Sequence, residues 1–367
     1  MSSKKNNFNS KDHQYMSLAL NLARENQGLT GDNPSVGCVI VKNDDIISFG
    51  KTGLNGRPHA EFNAIKNCKS NLTNSILYVT MEPCTHYGKT SPCTKLIIKS
   101  KIKKVIYSID DVDPRTSNKA FKLLKKNKLK VKKGILHNEF NKFYTNYFYS
   151  KKNKLPYVIG KIACSKDNFI KSNKSKYITC KSSLNVAHLL RYRNQAILIS
   201  YKTLNSDNPK LNCRLNGLEK FSPTRFILDK QLKTKKNSYI EETAKQVKTY
   251  IFYNHSNKEK INYFKEKGIK LIKINLAKNN LLDLKKILTK IYKLNINTLL
   301  VEGGANLTNN FLQNKLFNEF YLFKSDVKLM NKGSNNVSAL LKKLPNFFKK
   351  IKTLETFSNK DKIVNFL

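Results

Sequence analysis

His59-Ala60-Glu61, followed along the chain by Pro83-Cys84 and Pro92-Cys93, sets one imidazole, one carboxylate and two thiols in a spacing that decides how the first half folds. One His and two Cys are a donor set suited to Zn2+, and three protein ligands leave a tetrahedral ion one open position for water. Coordination lowers the pKa of that water towards about 7. Glu61 stands two residues from His59, close enough to exchange a proton with the water without being a ligand itself. Outward from these residues, Val36 to Val41 (VGCVIV) and Ile76 to Thr80 (ILYVT) are short apolar, β-branched runs, whereas Ala60 to Cys68 and Thr94 to Ser100 carry helical patterning. Each ligand is therefore expected where a strand feeds a helix, in an α/β layer structure.

An H-x-E followed by P-C is the spacing of hydrolytic zinc deaminases, in which the Glu works as acid and base and the product is ammonia and a carbonyl. Deaminases of this kind usually have two residues between the cysteines; here eight intervene, Thr-His-Tyr-Gly-Lys-Thr-Ser-Pro. His86, Lys89 and Thr90 place donors beside the metal, and Gly88 lets backbone come close to a ligand. A cation next to a hydroxyl suits an anionic substituent such as a phosphate on the substrate; a solvated polar loop is the structural alternative.

The runs Asn33 to Val41 (NPSVGCVIV), His59 to Glu61 (HAE) and Glu82 to Cys93 (EPCTHYGKTSPC) resemble the deaminase half of the bacterial bifunctional riboflavin-biosynthesis deaminase/reductase family. The resemblance implies a cytidine-deaminase-like three-layer α/β/α domain. It implies zinc held by His59, Cys84 and Cys93, with Glu61 catalytic. The implied substrate is diaminohydroxyphosphoribosylaminopyrimidine, met by Asn33, His86, Lys89 and Thr90.

At 367 residues the chain has room for more than one domain. A cationic, polar stretch from Ser150 to Lys154 before Pro156 reads as a linker, giving expected domains of 10–150 and 155–367. Beyond it, strand-like runs at Tyr157 to Ala163, Ala196 to Ser200, Arg225 to Asp229, Tyr250 to Tyr253 and Thr298 to Val301 alternate with helical patterns at Ser183 to Arg193, Leu281 to Tyr292 and Asn306 to Leu316. That alternation predicts a largely parallel sheet. No G-x-G-x-x-G follows a strand; Val301-Glu302-Gly303-Gly304 does, ahead of a helix whose N-terminus favours a phosphate. The same resemblance implies a dihydrofolate-reductase-like α/β domain using NADPH to reduce the ribosyl group to ribityl. It lines the cofactor with Ala163, Tyr177, Thr203, Asp207 and Gly303, Gly304, Ala305, Asn306 and Leu307. It turns Lys161, Ser175, Arg191, Leu211, Arg214 and Glu302 towards the substrate.

Only seven of the 69 cationic residues are Arg, so Arg191 and Arg214 are candidates for a bidentate phosphate fork that Lys cannot form; a surface ion pair is the alternative for each. Departures from the family pattern fall mainly in the second half. Asn168 stands where Gly is usual, a Trp position holds Tyr177, and a glycine pair is missing between Asp110 and Ala120.

The net charge of +44 supports a competing reading, a tRNA or nucleobase zinc deaminase with an added RNA-binding domain. Against it, the charge is spread along the chain, almost all Lys, and not interleaved with aromatics as a base-stacking platform would be. A metabolite-binding scaffold without activity is a third reading, opposed by the complete His59, Glu61, Cys84 and Cys93 set. Seven cysteines, two assigned to zinc and the rest mostly in apolar runs, argue against a disulfide framework. Met1 to Gln14 is polar, and no run of 18 apolar residues occurs. The expectation is a cytoplasmic homo-oligomer acting on a small phosphorylated pyrimidine, with no membrane and no specific nucleic-acid partner.

Overall fold

The computed structural model describes residues 8–355 and 360–367; the first seven residues of the polar stretch Met1 to Gln14 lie outside the described residues. The chain divides into two compact units, Met1–Lys154 and Leu155–Leu367.

Unit one runs α1 (Ser10–Glu25), β1 (Gly37–Lys42), β2 (Asp45–Lys51), α2 (Ala60–Lys66), β3 (Ile76–Met81), α3 (Cys93–Lys99), β4 (Lys104–Ile109), α4 (Lys119–Lys126), β5 (Lys130–Lys133), α5 (His137–Phe143) and α6 (Thr145–Asn153). Its sheet has the order β2-β1-β3-β4-β5. β1 is antiparallel to β2 and β3, while β3, β4 and β5 are parallel. Two glycines show why the sheet is covered on both faces. A Cβ on Gly37 would meet the Ala19 carbonyl oxygen at 1.9 Å, in α1, and one on Gly50 would meet the Ala60 oxygen at 2.4 Å, in α2. Gly50 pairs with Cys38, the neighbour of Gly37, and successive strand residues point to opposite faces. Helices α1 and α2 therefore press on opposite sides, which makes three layers. Coverage on both faces also explains why β1 is a continuous apolar run with Val39, Ile40 and Val41 buried, instead of an alternating one. The basic stretch Lys122 to Lys133 spans α4 and β5 and buries only Leu124, Leu129 and Val131; the lysines are on the solvent side.

Unit two contains the strands β6 (Tyr157–Cys164), β7 (Phe169–Ser172), β8 (Ala196–Ser200), β9 (Thr224–Leu228), β10 (Thr249–Tyr253), β11 (Lys270–Lys273), β12 (Thr298–Glu302), β13 (Glu319–Ser325), β14 (Gly333–Asn336), β15 (Ile351–Leu354) and β16 (Asp361–Phe366). Its helices are α7 (Lys181–Arg193), α8 (Tyr201–Asp207), α9 (Tyr239–Glu242), α10 (Lys258–Glu266), α11 (Leu284–Lys293), α12 (Ala305–Gln313) and α13 (Ser338–Lys343). The main sheet has the order β11-β10-β9-β8-β12-β6-β13-β16-β15, and β7 pairs with β14 separately. It is parallel from β11 to β13 and antiparallel at β16 and β15.

The five strand runs read from the sequence are β6, β8, β9, β10 and β12, and the three helical patterns are α7, α11 and α12. Helix α11 starts at Leu284 rather than Leu281, because Asp283 takes the N-cap and its side chain accepts from the Lys286 N–H. Asn168 has φ +66°, the left-handed backbone that Asn adopts in place of Gly.

Candidate active sites

In unit one, each metal-ligand candidate sits at the end of an element. His59 is the N-cap of α2 and Cys93 opens α3 behind Pro92. Cys84 lies three residues past the end of β3, where Thr94 N–H and hydroxyl bond its carbonyl at 3.2 and 3.1 Å. The ligand atoms of His59, Cys84 and Cys93 lie within 4.8 Å of one another. Nδ1 of His59 is 3.6 Å from Cys84 Sγ and 3.3 Å from Cys93 Sγ. A tetrahedral zinc ion with Zn–S of about 2.3 Å and Zn–N of about 2.0 Å has S···N edges of about 3.5 Å, so the three residues fit the ion.

The electrostatics suit it as well. Hydrogen bonding from Cys93 lowers the Cys84 thiol, with His59 and the Cys93 N–H adding to the effect. Glu61, in the first turn of α2, is 4 % exposed, and burial pushes its carboxyl up to about 7. A carboxyl tuned to that range can both take and return a proton at neutral pH.

Behind the ligands stands Glu82, which the sequence reading did not single out. Its buried carboxylate accepts the N–H groups of Asp111 (3.2 Å), Asn118 (2.9 Å) and Ala120 (2.9 Å). It thus ties the strand end carrying Cys84 to the loop 110–118. Asn118 has φ +59°, which is how this loop turns without its usual glycines. The same loop reaches the inter-cysteine segment, since His86 Nδ1 is 3.1 Å from the Thr116 hydroxyl and Thr85 bonds the Arg115 carbonyl at 3.1 Å. Lys89 and Thr90 are exposed, and the Arg57 guanidinium bonds the Thr90 hydroxyl. Asn33 donates to the Gly56 carbonyl at 3.0 Å, fixing the approach to His59.

In unit two, Glu302 ends β12 beside its register partner Lys161 on β6. Arg191 on α7 grips Glu302 with both edges of its fork, Nε to Oε1 at 2.7 Å and Nη2 to Oε2 at 2.8 Å, and gives Nη1 to the Asn212 carbonyl at 3.3 Å. Although burial opposes ionisation of Glu302, Arg191 and Lys161 hold it down at about 2, so it is a fixed anion. Burial lowers the Lys161 ammonium, whose Nζ lies 5.1 Å from the Phe323 ring centre. Gly304 caps α12 with nothing within 4 Å of an added Cβ, whereas a Cβ on Gly303 would touch Leu307 at 3.0 Å. The first N–H groups of α12 are thus approachable past Gly304.

Residues 9–109 match the family model of the cytidine and deoxycytidylate deaminase zinc-binding region, and residues 156–325 match that of the RibD C-terminal domain. The riboflavin biosynthesis protein RibD of Actinobacillus pleuropneumoniae is 34% identical, over 85% of this chain and 83% of its own; that of Aquifex aeolicus is 35% identical over 88% of each. The chain belongs to the RibD family. Among solved structures, a diaminohydroxyphosphoribosylaminopyrimidine deaminase/5-amino-6-(5-phosphoribosylamino)uracil reductase from Thermotoga maritima superposes with a TM-score of 0.82 at 28% identity, covering 97% of this chain and 98% of its own. An Acinetobacter baumannii RibD gives 0.83 at 26%, with the same coverage. RibD proteins pair a zinc-binding deaminase domain with an NADPH-dependent reductase domain in riboflavin biosynthesis. The second unit of this RibD chain is thus a reductase-family domain, and the alternative of an appended RNA-binding domain falls.

Within this RibD-family frame the remaining sequence-predicted residues are placed unevenly. Ser175 and Tyr177 lie on an exposed segment bonded to itself, the Ser175 hydroxyl donating to the Tyr177 carbonyl at 2.8 Å. Thr203 stands in the first turn of α8, where the N-cap Ser200 hydroxyl accepts its N–H. Asp207, exposed at the end of α8, is 3.9 Å from Lys171. Ala163 is half-buried on β6. Arg191 directs one N–H from each of its three nitrogens to Glu302 and Asn212. Leu211 is 2 % exposed, its side chain packed in the core.

Proposed function

We propose that the chain deaminates diaminohydroxyphosphoribosylaminopyrimidine in its first unit and, in its second, reduces the resulting 5-amino-6-(5-phosphoribosylamino)uracil to the ribityl compound. The observation that carries the first step is the convergence of His59, Cys84 and Cys93 on one point beside the buried Glu61. A bound zinc ion supplies an activated water, and NADPH a hydride. Glu61 takes the proton of the attacking water and hands it to the departing amine, which leaves as ammonia. Asn33, His86, Lys89 and Thr90 border the entrance, with Lys89 and Thr90 suited to the substrate phosphate.

For the reduction, the N-terminus of α12 behind Gly303 and Gly304, with Ala305, Asn306 and Leu307, offers N–H groups to a cofactor phosphate. Ala163, Tyr177, Thr203 and Asp207 complete that wall. Glu302 at the end of β12 and its register partner Lys161 within β6 set an anion beside a cation, and Arg191 fixes the carboxylate. Ser175, Arg214 and the Leu211 backbone border the substrate. Among the described residues no helix is long and apolar enough to cross a membrane; a cytoplasmic homo-oligomer belongs to the same reading.

The test is incubation of purified protein with the pyrimidine substrate, with and without NADPH, following ammonia and nicotinamide absorbance. Glu61→Gln is expected to abolish ammonia release, by at least about 10²-fold, while NADPH oxidation on supplied aminouracil persists. Parallel loss of both activities would remove Glu61 from a separate deaminase site.

A further inference from the structure

His188 lies on α7 one turn before Arg191, 7 % exposed, and takes no part in the reading above. Its Nδ1 is buried without a partner, while the ring donates to the Asn212 backbone carbonyl; by elimination that donor is Nε2. Burial first, then the charges of Arg191 and Arg214, keep the imidazole down at about 4. It is therefore a neutral ring with a single N–H, and that N–H is committed to Asn212.

The acceptor is unusually placed. Asn212 O also receives Arg191 Nη1 at 3.3 Å, and the Asn212 side-chain oxygen receives Arg214 Nη1 at 2.8 Å. Next to it, Leu211 has φ +51° although it is not glycine, and Cys213 N–H is held by the Ser222 hydroxyl at 3.3 Å. A left-handed, buried Leu costs free energy that neighbouring contacts must offset. Two donors from α7 converge on the carbonyl that follows it. The turn 211–214 is thus clamped from the helix that also positions Glu302, and it is the turn that aims Arg214.

We propose that His188 is a positioning residue of the reductase site, which with Arg191 pins the main chain at Asn212 and so presents the Arg214 guanidinium to the phosphate-bearing substrate. The inference rests on Arg214 meeting that substrate, as proposed above. Losing the clamp frees the turn without touching the cofactor or the reacting carbon, so its effect belongs in substrate binding.

The experiment is steady-state kinetics of the full chain with supplied 5-amino-6-(5-phosphoribosylamino)uracil and NADPH. His188→Leu is expected to raise the KM for the aminouracil about tenfold, with kcat and the KM for NADPH within about twofold. His188→Gln, which keeps a donor of similar reach, is expected to restore most of it. In an Arg214→Lys background, adding His188→Leu is expected to raise KM no further, because the two changes remove one interaction. An unchanged KM in His188→Leu, a matching fall in kcat that Gln does not rescue, or additive effects in the double variant would each overturn the proposal. Should His188→Leu not fold, His188→Asn, polar but too short to reach the carbonyl, carries the test, and a wild-type KM there overturns it. If Arg214→Lys alone leaves KM unchanged, the reading of Arg214 has failed; if it raises KM while His188→Leu does not, only the clamp has.

Discussion

Gly50→Ala is the substitution that most directly tests how the fold holds the metal site. A Cβ at Gly50 would stand 2.4 Å from the Ala60 carbonyl oxygen, 2.5 Å from the Ala64 nitrogen and 3.0 Å from the Asn63 Cβ. The first two are backbone atoms of α2 and cannot rotate away. Restoring ordinary contact of about 3.5 Å requires the first turn of α2 to retreat by about 1 Å, and that turn carries His59 as N-cap and Glu61 as its second residue. Zinc sites tolerate ligand displacements of only about 0.2 Å, and a misplacement of about 1 Å costs on the order of 10²-fold in rate. Overpacking of this kind destabilises by about 1–3 kcal/mol. The assay is threefold: zinc per chain after dialysis, ammonia release, and NADPH oxidation on supplied aminouracil. The expected result is a roughly hundredfold loss of ammonia release with weakened zinc retention, while reduction is preserved. Full zinc content and a wild-type deaminase rate would refute the argument that β2 sets the position of α2.

Prolonged chelation is expected to remove ammonia release by at least about 10²-fold and leave NADPH oxidation on supplied intermediate intact; a fall in both on the same time course would contradict two separate sites. Arg214→Lys is expected to raise the reductase KM about tenfold through loss of a planar fork, and a KM within twofold of wild type would take Arg214 out of the site. Arg225 is 1 % exposed and bonds Thr249, Thr243 twice, and Val247; with Lys there, buried acceptors lose partners, so urea denaturation should show about 2–4 kcal/mol lost, and a change below about 0.5 kcal/mol would negate the satisfaction argument. His188 has a folded pKa of about 4, below its ordinary value, so the unfolded chain binds more protons as pH drops. Its contribution to stability is therefore present above about pH 6.5 and is lost as pH falls towards 4; pH-dependent denaturation of His188→Gln should show a shallower loss across that window, and identical slopes would contradict the shift.

Strands covered on both faces were legible because burial on two sides demands an unbroken apolar run, as in Val36 to Val41 and Ala196 to Ser200. β2, β13 and β16 were not, since their residues include Lys, Asp, Glu or Asn, and β13 and β16 also pair across a long stretch of chain. The metal donors were legible from types and spacing alone. Their supports were not: Glu82 works through three N–H groups 29 to 38 residues downstream, and His188 through one carbonyl in another loop. Those connections depend on which segments the sheet order brings together. The same limit explains Arg191. Scarcity of Arg marked it as a residue whose planar fork matters, but the sequence did not show that the fork closes on the carboxylate at the end of β12.

That scarcity has a physical consequence for the whole chain. Most cationic positions hold Lys, and ion pairs such as Lys11–Asp44 and Lys51–Glu25 are exposed, where they contribute little to stability and are screened by salt. Arg191 and Arg225 bury a guanidinium and use several of its donors, and Arg115 closes on Asp113 through two nitrogens. Lys, with three donors on a point charge, cannot reproduce these contacts. Structural specificity from positive charge is therefore concentrated in a few forks. The large lysine excess acts at longer range, as a positive field around a protein whose proposed substrates and cofactor all carry phosphate. Fold and recognition in this chain thus draw on different cations: the enclosed forks of Arg191 and Arg225 are insensitive to salt, and the lysine field is screened over about 8 Å at physiological ionic strength.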